Sequence, residues 1–253
     1  MPMSTLSHYW ELLRPAADPQ RLMFIAPHVG GGAAVGRDLA RSLPDDWAVY
    51  GLVLPGRERR IEEPVVWEFD PTVAAAAAAL EELAGRSPAA AVVGLGQCSG
   101  AWLMYAILAH AESRLGPRLR LMVAVSQGAW HLPRHHPPLP ESSDSLWAQL
   151  VASGQARPAV AEDEDARELL EPMIRADYAA VNDFPTTAER LSIPLLAIVG
   201  SEDHDVDRAA AQSWSRYGVG IEVDEVSAGH FPLGENPTAV ARAVVARLGA
   251  AGR

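Results

Sequence analysis

The chain has 253 residues, 49% of them hydrophobic, which is enough to bury one large core. Its formal net charge of −11 argues against nucleic-acid binding, because contacts to phosphates require clustered Lys and Arg. No apolar run approaches the roughly 20 residues of a membrane span, and residues 1–10 lack the pattern of a secretory signal. The single cysteine excludes an internal disulfide, so we expect a cytoplasmic protein.

Short apolar runs alternate with longer helical segments along the chain. Nearly continuous apolar runs are typical of parallel strands covered on both faces, and they predict strands at 22–26, 48–54, 90–95, 119–126, 195–199 and 221–226. The segments between them predict helices at 33–42, 71–84, 100–115, 208–217 and 237–248. This alternation predicts an α/β fold with a mostly parallel central sheet and helices on both faces, in a single domain spanning residues 1–253.

A glycine-rich turn, Pro-His-Val-Gly-Gly-Gly at residues 27–32, follows the first of these strands. It resembles the loop that supplies one backbone N–H to the oxyanion hole of α/β hydrolases. We therefore expect the Val29 amide to be an oxyanion donor. A phosphate cradle is the alternative, although the turn lacks the Lys-Ser/Thr ending and the G-x-G-x-x-G spacing of nucleotide sites.

The segment 92–101 combines an apolar strand, the sequence Gly-Gln-Cys-Ser-Gly and the start of a helix. In the G-x-S-x-G elbow of α/β hydrolases, a sharp turn between strand and helix exposes the central residue at the top of the sheet. Gly96 and Gly100 let such a turn close. Cys98 then takes the place of the nucleophile, favoured as thiolate by the helix N-terminus. Ser99 would supply the second oxyanion N–H.

Two other interpretations of the elbow stay open. A lone cysteine is often a small buried hydrophobic residue. Ser99 also carries a hydroxyl and is a second candidate nucleophile, but it stands one position out of register with the two glycines. The register therefore favours Cys98.

Residues 131–191 interrupt the alternation, because no convincing strand occurs there. The segment opens with a proline-rich piece (Pro133, Pro137, Pro138, Pro140) and continues through helices predicted near 145–153 and 162–181. A long segment inserted late in a sheet protein is usually functional, so we predict a lid over about 131–191. A peripheral helical pair that only pads the sheet is the alternative.

Four side chains at the start of this segment could suggest a metal cluster: His131, Arg134, His135 and His136. Their proline-rich setting favours a solvated loop instead. The sequence therefore calls for no metal here.

The acid and the base of a triad are expected after Cys98, because α/β hydrolases order the triad as nucleophile, acid, histidine. Asp203 and Asp205 both follow the strand predicted at 195–199, at the edge where ligands bind open α/β sheets. His230 lies in a turn after the last predicted strand. His230 would accept the Cys98 proton, while an aspartate fixes its tautomer.

These segments together resemble the type II thioesterase family associated with polyketide and nonribosomal peptide synthetases. The resemblance runs nearly end to end, through Pro-His-Val-Gly-Gly at 27–31, Leu-Pro-Gly-Arg at 54–57, Arg-Ala-Asp-Tyr at 175–178, Gly-His-Phe at 229–231 and Glu-Asn-Pro at 235–237. It implies the α/β-hydrolase fold and a carrier protein with a phosphopantetheine-bound acyl or peptidyl chain as partner, without metal or organic cofactor. It also implies Asp203 as the acid, since this residue holds the family's Gly-x-x-Asp position.

The elbow departs from the family pattern. Most members carry Gly-His-Ser-Met-Gly-Gly, whereas this chain carries Gly-Gln-Cys-Ser-Gly-Ala at 96–101. A Cys-His-Asp triad on this fold resembles the Dieckmann cyclases that release tetramic acids or pyridones. That resemblance implies chain release through an intramolecular carbon–carbon bond. Hydrolytic editing by a cysteine nucleophile and a non-catalytic acyl-binding module are the alternatives.

Arg57, Arg59 and Arg60 form a candidate basic patch for steering an acidic carrier protein. An ordinary solvated loop is the alternative for this cluster of charges.

Overall fold

The computed structural model describes residues 6–132, 139–182 and 189–250. Its seven strands, numbered in chain order, are β1 (Trp10–Arg14), β2 (Arg21–Ala26), β3 (Trp47–Leu52), β4 (Ala91–Gln97), β5 (Leu119–Val125), β6 (Leu195–Gly200) and β7 (Ile221–Val226). They form one sheet in the order β1-β3-β2-β4-β5-β6-β7. β1 is antiparallel to β3 at one edge, and all other neighbours pair in parallel.

The α-helices of the described residues are α1 (Leu6–Tyr9), α2 (Arg37–Ser42), α3 (Phe69–Gly85), α4 (Ser99–Leu115), α5 (Ser143–Ala152), α6 (Pro158–Ala161), α7 (Glu164–Asn182), α8 (Arg208–Gln212), α9 (Pro232–Glu235) and α10 (Pro237–Ala250). None of these helices combines the length and the apolar character needed to cross a membrane.

The sheet buries both faces because successive side chains of a strand point to opposite sides. In β2, Phe24 packs into the core formed with α3 and α4, whereas Met23 and Ile25 pack into the core formed with α2 and α10. Both sets are apolar, which explains the continuous apolar runs in the sequence.

The predicted fold is confirmed, since the mostly parallel sheet with helices on both faces has the α/β-hydrolase architecture. The six predicted strands occur with small shifts of their ends. β1 was missed because its WELLR sequence pairs on one side only and is partly exposed, which leaves no continuous apolar run. Two predicted helices are only partly α-helical: 33–42 begins as the 3₁₀ turn Ala33–Gly36, and 208–217 ends in another at Ser213–Arg216.

Between β5 and β6 the described residues form three helices and no strand. We call α5, α6 and α7 together the β5–β6 segment. Its own apolar cluster contains Leu146, Trp147 and Leu150 of α5 with Ile174 and Tyr178 of α7. The predicted helices at 145–153 and 162–181 correspond to α5 and α7.

The start of the predicted lid is described only in part. Pro133, Arg134, His135, His136, Pro137 and Pro138 lie outside the described residues. His131 is described, and its Nδ1 lies 3.1 Å from the Tyr217 hydroxyl.

Candidate active site

The elbow joins β4 to α4 at Cys98, which adopts φ 51° and ψ −134°. This left-handed conformation is strained for a residue with a side chain and is the conformation of a nucleophile elbow. The turn closes because Gly96 has no side chain, since a Cβ there would overlap the carbonyl of Gly100. The Cys98 N–H donates to the Val125 carbonyl at 2.8 Å, which fixes the elbow to β5.

The Cys98 side chain is 6% exposed and lies at the N-terminus of the 17-residue helix α4. Burial alone fits a small hydrophobic residue, but the surroundings of the thiol do not. Cys98 lies close enough to His230 to raise the pKa of that imidazole, and it lines a small chamber together with Tyr178 and Phe231. The geometry therefore gives this thiol a base and a cavity, which a packing residue does not require.

Asp203, one of the two candidate acids, is hydrogen-bonded to His230. His230 Nδ1 lies 3.0 Å from Asp203 Oδ2 and 3.1 Å from Oδ1, and the Asp203 side chain has no exposed surface. Asp203 Oδ1 also accepts hydrogen bonds from the backbone N–H groups of Asp205 and Val206. Asp205 is exposed to solvent. Asp203 is therefore in position to orient the imidazole.

Burial and hydrogen bonds act in opposite directions on the pKa of His230. Burial lowers it, but the hydrogen bond to Asp203 and the interactions with Cys98 and with the Asp203 charge raise the pKa of His230 overall to about 10. Burial raises the pKa of Asp203, but the hydrogen bonds from His230 and from the backbone lower it overall. The site therefore stabilises an ionised Asp203 beside an imidazolium.

The loop carrying His230 is held on both sides. The Glu235 carboxylate accepts hydrogen bonds from the N–H groups of Gly229 at 2.6 Å and Phe231 at 3.1 Å. Gln97 of the elbow accepts a hydrogen bond from the Leu233 N–H at 3.0 Å. These bonds tie the histidine loop directly to the elbow.

The two predicted oxyanion donors lie next to each other, but one of them already has a partner. The Val29 N–H donates to the Ser99 hydroxyl oxygen at 3.1 Å. Ser99 begins α4, so its own N–H belongs to the first turn, where no helical acceptor exists. An oxyanion at this place would compete with the Ser99 hydroxyl for the Val29 N–H.

His28, the residue before Val29, lies beside the chamber as a neutral imidazole. Burial lowers its pKa most strongly, and the nearby His230 lowers it further, against an opposing hydrogen bond to the Val29 carbonyl. Because a carbonyl only accepts, His28 Nδ1 carries the proton and donates it to that oxygen at 2.8 Å.

The predicted basic patch is wrong. Arg57 and Arg60 are both 5% exposed. Arg57 pairs with Asp177 of α7, and Arg60 pairs with Glu63. Arg59, which is largely buried as well, lies 3.6 Å from Glu11. These cations are neutralised inside the protein, so they offer no positive surface to a carrier protein.

The β5–β6 segment covers the site and encloses a second, larger cavity. This cavity has a volume of about 330 Å³ and lies between the glycine-rich turn and helices α5, α6 and α7. Its walls are mostly apolar, and the polar exceptions include Gln155 and Arg157. Gln155 also lines the Cys98 chamber, so the two spaces are neighbours.

Tyr178 closes the chamber from α7. Its hydroxyl donates to Gln155 Oε1 at 2.9 Å. Burial and the charge of Cys98 raise the pKa of Tyr178 to about 12, so the phenol stays protonated.

Sequence reasoning quoted Tyr178 and Asp177 only as part of a family motif and gave them no role. The feature of the sequence that could have revealed them is a polar pair on the apolar face of an otherwise amphipathic helix.

Within the described ranges, the ligand atoms of Asp203, Asp205 and His230 lie within 4.8 Å of one another. Asp203 and His230 already hydrogen-bond to each other, and Asp203 also accepts two backbone N–H bonds. Asp203 and His230 therefore have the geometry of an acid–base pair, which leaves only the exposed Asp205 free to bind a metal ion.

Comparisons with known proteins identify the family of this chain. A family model described as "Thioesterase domain" matches residues 21–248. The phenyloxazoline synthase MbtB of Mycobacterium tuberculosis is 30% identical over 240 residues, which cover 94% of this chain and 17% of that protein. This chain therefore spans only a small part of that relative's length.

Two further proteins match over most of their own length. The human medium-chain S-acyl fatty acid synthase thioesterase is 29% identical over 217 residues, covering 82% of this chain and 78% of the relative. The solved structure of BorB, a type II thioesterase from the borrelidin biosynthetic cluster, aligns with a TM-score of 0.79 at 25% identity, covering 95% of this chain and 97% of that chain.

Proposed function

Because the chain belongs to the thioesterase domain family, we propose that it is an acyltransfer enzyme that takes a thioester-bound chain onto Cys98. The donor is an acyl or peptidyl carrier protein whose phosphopantetheine arm carries the chain. One observation carries this proposal: Cys98, His230 and Asp203 come from three separate loops and meet at one place, where His230 hydrogen-bonds to Asp203 and has its pKa raised by Cys98. This is the arrangement of nucleophile, base and orienting acid in covalent catalysis.

The first half-reaction is an exchange of thioesters. His230 Nδ1 is bonded to Asp203, which leaves Nε2 to accept the proton of the Cys98 thiol. The thiolate attacks the acyl carbonyl, and the N–H groups of Val29 and Ser99 stabilise the oxyanion. The carbon–sulfur bond to phosphopantetheine then breaks, and the departing thiolate receives the proton that His230 took from Cys98. One thioester replaces another, so little free energy is lost.

The acyl chain occupies the 330 Å³ cavity under the β5–β6 segment, which acts as a lid. Trp147, Leu150 and Ile174 provide the apolar wall for such a chain. Covering the site in this way excludes water from the acyl-enzyme.

Chain release proceeds by a Dieckmann-type cyclisation that yields a tetramate or pyridone. In the acyl-enzyme His230 is neutral, because it has given its proton to the departing phosphopantetheine thiolate, and Cys98 carries no charge that would raise its pKa. His230 removes a proton from the acidic carbon between two carbonyls of a β-ketoacyl-aminoacyl chain. The carbanion attacks the thioester carbonyl, a carbon–carbon bond forms, and the bond to Cys98 sulfur breaks. The Cys98 thiolate recovers its proton from His230.

Hydrolysis is the second candidate, favoured by the match to the thioesterase domain model over residues 21–248. It shares the acyl-enzyme with the cyclisation and differs only in the nucleophile, which is water. A non-catalytic acyl-binding module is disfavoured by the hydrogen-bonded pair of His230 and Asp203 beside Cys98, which simple binding does not need.

Intact-protein mass spectrometry with a β-ketoacyl-aminoacyl thioester tests both steps. We expect an acyl adduct on Cys98 and a released product that has lost the carrier thiol without gaining water. Cys98→Ala gives no adduct. The linear acid as the only product would rule out cyclisation, and a wild-type protein without adduct or turnover would rule out the acyltransfer function itself.

Cys98→Ser is the matched variant for the nucleophile. An oxygen ester is less electrophilic and its alkoxide is a poorer leaving group, so we expect slower ring closure and a larger fraction of linear acid. Unchanged ring closure would show that sulfur is not needed for the cyclisation.

A further inference from the structure

Asp177 and Arg57 form an ion pair inside the protein, between helix α7 and the loop after β3. Asp177 is 1% exposed, and Arg57 is 5% exposed. The two Asp177 oxygens accept hydrogen bonds from Arg57 Nη2 at 2.6 Å and Nη1 at 2.8 Å. Trp67 Nε1 donates to the same carboxylate at 2.8 Å. The pair is thus fully desolvated and well bonded.

The same two side chains hydrogen-bond to the backbone of the glycine-rich turn. The Gly30 N–H donates to Asp177 Oδ2 at 2.8 Å, and the Gly31 carbonyl accepts from Arg57 Nη1 at 2.6 Å. One ion pair therefore holds two peptide groups of the turn, Val29–Gly30 through its N–H and Gly31–Gly32 through its carbonyl. The first of these groups directly follows the N–H of Val29, the predicted oxyanion donor.

The backbone of the turn has wide conformational freedom at Gly30. Gly30 adopts φ +74°, a conformation that glycine allows at little cost, and glycine is also the residue with the greatest backbone freedom. Ile174 of α7 is the neighbour that a Cβ at Gly30 would meet, at 3.0 Å. Helix α7 therefore approaches the turn through Ile174 and, one turn later, through Asp177.

Stability by itself gives little reason for such a pair. Replacing a buried ion pair by apolar residues of similar volume is often neutral or stabilising, because desolvation opposes the Coulomb attraction. The pair instead fixes orientation. Two parallel hydrogen bonds between guanidinium and carboxylate fix the planes of both groups, and with them the orientation of the peptide groups that hydrogen-bond to them. An oxyanion donor requires this kind of fixed direction.

We propose that Arg57 and Asp177 are positioning residues that aim the Val29 N–H at the oxyanion, and that they do so only while α7 is docked. This inference rests on the proposed acyltransfer function. It makes the β5–β6 segment part of the catalytic machinery, because release of α7 withdraws the carboxylate that orders the turn.

Two rates separate positioning from general damage. Acylation by a thioester passes through an oxyanion, whereas alkylation of Cys98 by iodoacetamide requires only the thiolate. For Asp177→Asn we expect acylation to fall by about 100-fold through kcat, the cost of losing an oxyanion donor. We expect alkylation to stay within about twofold, because the thiolate and His230 are untouched. Amide hydrogen exchange at Gly30 should become faster.

Arg57→Lys tests the same idea with the positive charge kept. Lysine cannot bond both Asp177 oxygens and the Gly31 carbonyl in the planar arrangement of the fork, so we expect about a tenfold loss of acylation. If Asp177→Asn does not fold, this variant carries the test. Asp144→Asn is the matched control, since it removes a carboxylate from an exposed ion pair with Arg167 in the same β5–β6 segment.

Two outcomes would overturn the proposal. Acylation that stays at the wild-type rate in both variants means that the pair does not position the donor. Acylation and alkylation that fall in parallel mean general damage to the site. Failure of the acyltransfer function is a separate result, because then wild-type Cys98 is not acylated at all.

Discussion

On the sheet side of the chamber, Cys98 and Asp203 lie at or just beyond the ends of β4 and β6, and backbone hydrogen bonds fix both of them. On the opposite side, the glycine-rich turn depends on side chains of α7 and of the loop after β3. The Gly30–Asp177 bond joins residues 147 positions apart, and the Arg57–Asp177 pair joins residues 120 apart.

The two sides differ in what would disrupt the geometry of each. Backbone bonds at strand ends persist as long as the sheet persists. The turn has the backbone bond from the Gly31 N–H to the His28 carbonyl, but we expect it to keep its full geometry only while helix α7 stays in place. We therefore expect substitutions on the sheet side to abolish chemistry, and substitutions on the segment side to tune it.

The largest effect is expected from Asp203→Asn on the sheet side. Loss of the carboxylate leaves His230 free to adopt the wrong tautomer, and kcat should fall by about 10⁴-fold, as for a triad acid. Steady-state turnover of a carrier-bound thioester measures this. Asp205→Asn is the control, because Asp205 is exposed and contributes only its backbone N–H to Asp203. Equal losses in both variants would contradict the assignment of Asp203.

On the segment side, Val160→Trp should fill part of the 330 Å³ cavity that Val160 lines. We expect KM for a long acyl thioester to rise by about tenfold, since overpacking an apolar site costs about 1–3 kcal/mol. An acetyl thioester should be turned over as before. Val219→Trp is the matched control at an exposed position. If the cavity is not the acyl site, Val160→Trp should change the KM of the long acyl thioester no more than that of the acetyl thioester.

Ser99→Ala addresses the contact between the two sides. The Val29 N–H then loses the hydroxyl that competes with the oxyanion. A neutral hydrogen bond contributes about 1 kcal/mol, so we expect acylation to become about fivefold faster. Single-turnover kinetics measure this, with Ser87→Ala as a distant control. A slower acylation would mean instead that the Ser99 hydroxyl donates to the oxyanion.

The last prediction concerns the pH dependence of stability from His230. Its pKa is raised from 6.5 to about 10 in the folded protein, so its stabilising contribution is complete below pH 6.5 and is lost as the pH rises towards 10. Urea unfolding at several pH values should show the free energy of unfolding falling across this range, by less in His230→Gln. Identical slopes would contradict the raised pKa.

Local patterns in the sequence were sufficient for the fold and for the elbow. Apolar runs placed six of the seven strands, and the glycines flanking Cys98 placed the turn that the structure contains. This succeeded because parallel strands buried on both faces leave a continuous apolar signal. β1 was missed because it lies at the edge and has an exposed side.

The same local patterns misjudged the charged residues. Arg57, Arg59 and Arg60 have the spacing of a solvated cluster, yet Arg57 and Arg60 are buried. Their partners could not be identified from neighbours in sequence, since Asp177 lies on a helix 120 residues away. The choice between Asp203 and Asp205 likewise depends on which carboxylate faces His230.

Periodicity and turn-forming glycines therefore determined six of the seven strands and the position of Cys98 at the carboxyl edge of the sheet, and the chain order known for α/β hydrolases gave the order of the candidate triad. Only the tertiary structure decided that Asp203 bonds to His230, that Ser99 engages the Val29 N–H and that a buried ion pair holds the glycine-rich turn. The physical reason is range: burial of a strand or closure of a turn is encoded by adjacent residues, whereas the direction of a hydrogen bond is set by groups that only the folded chain brings together.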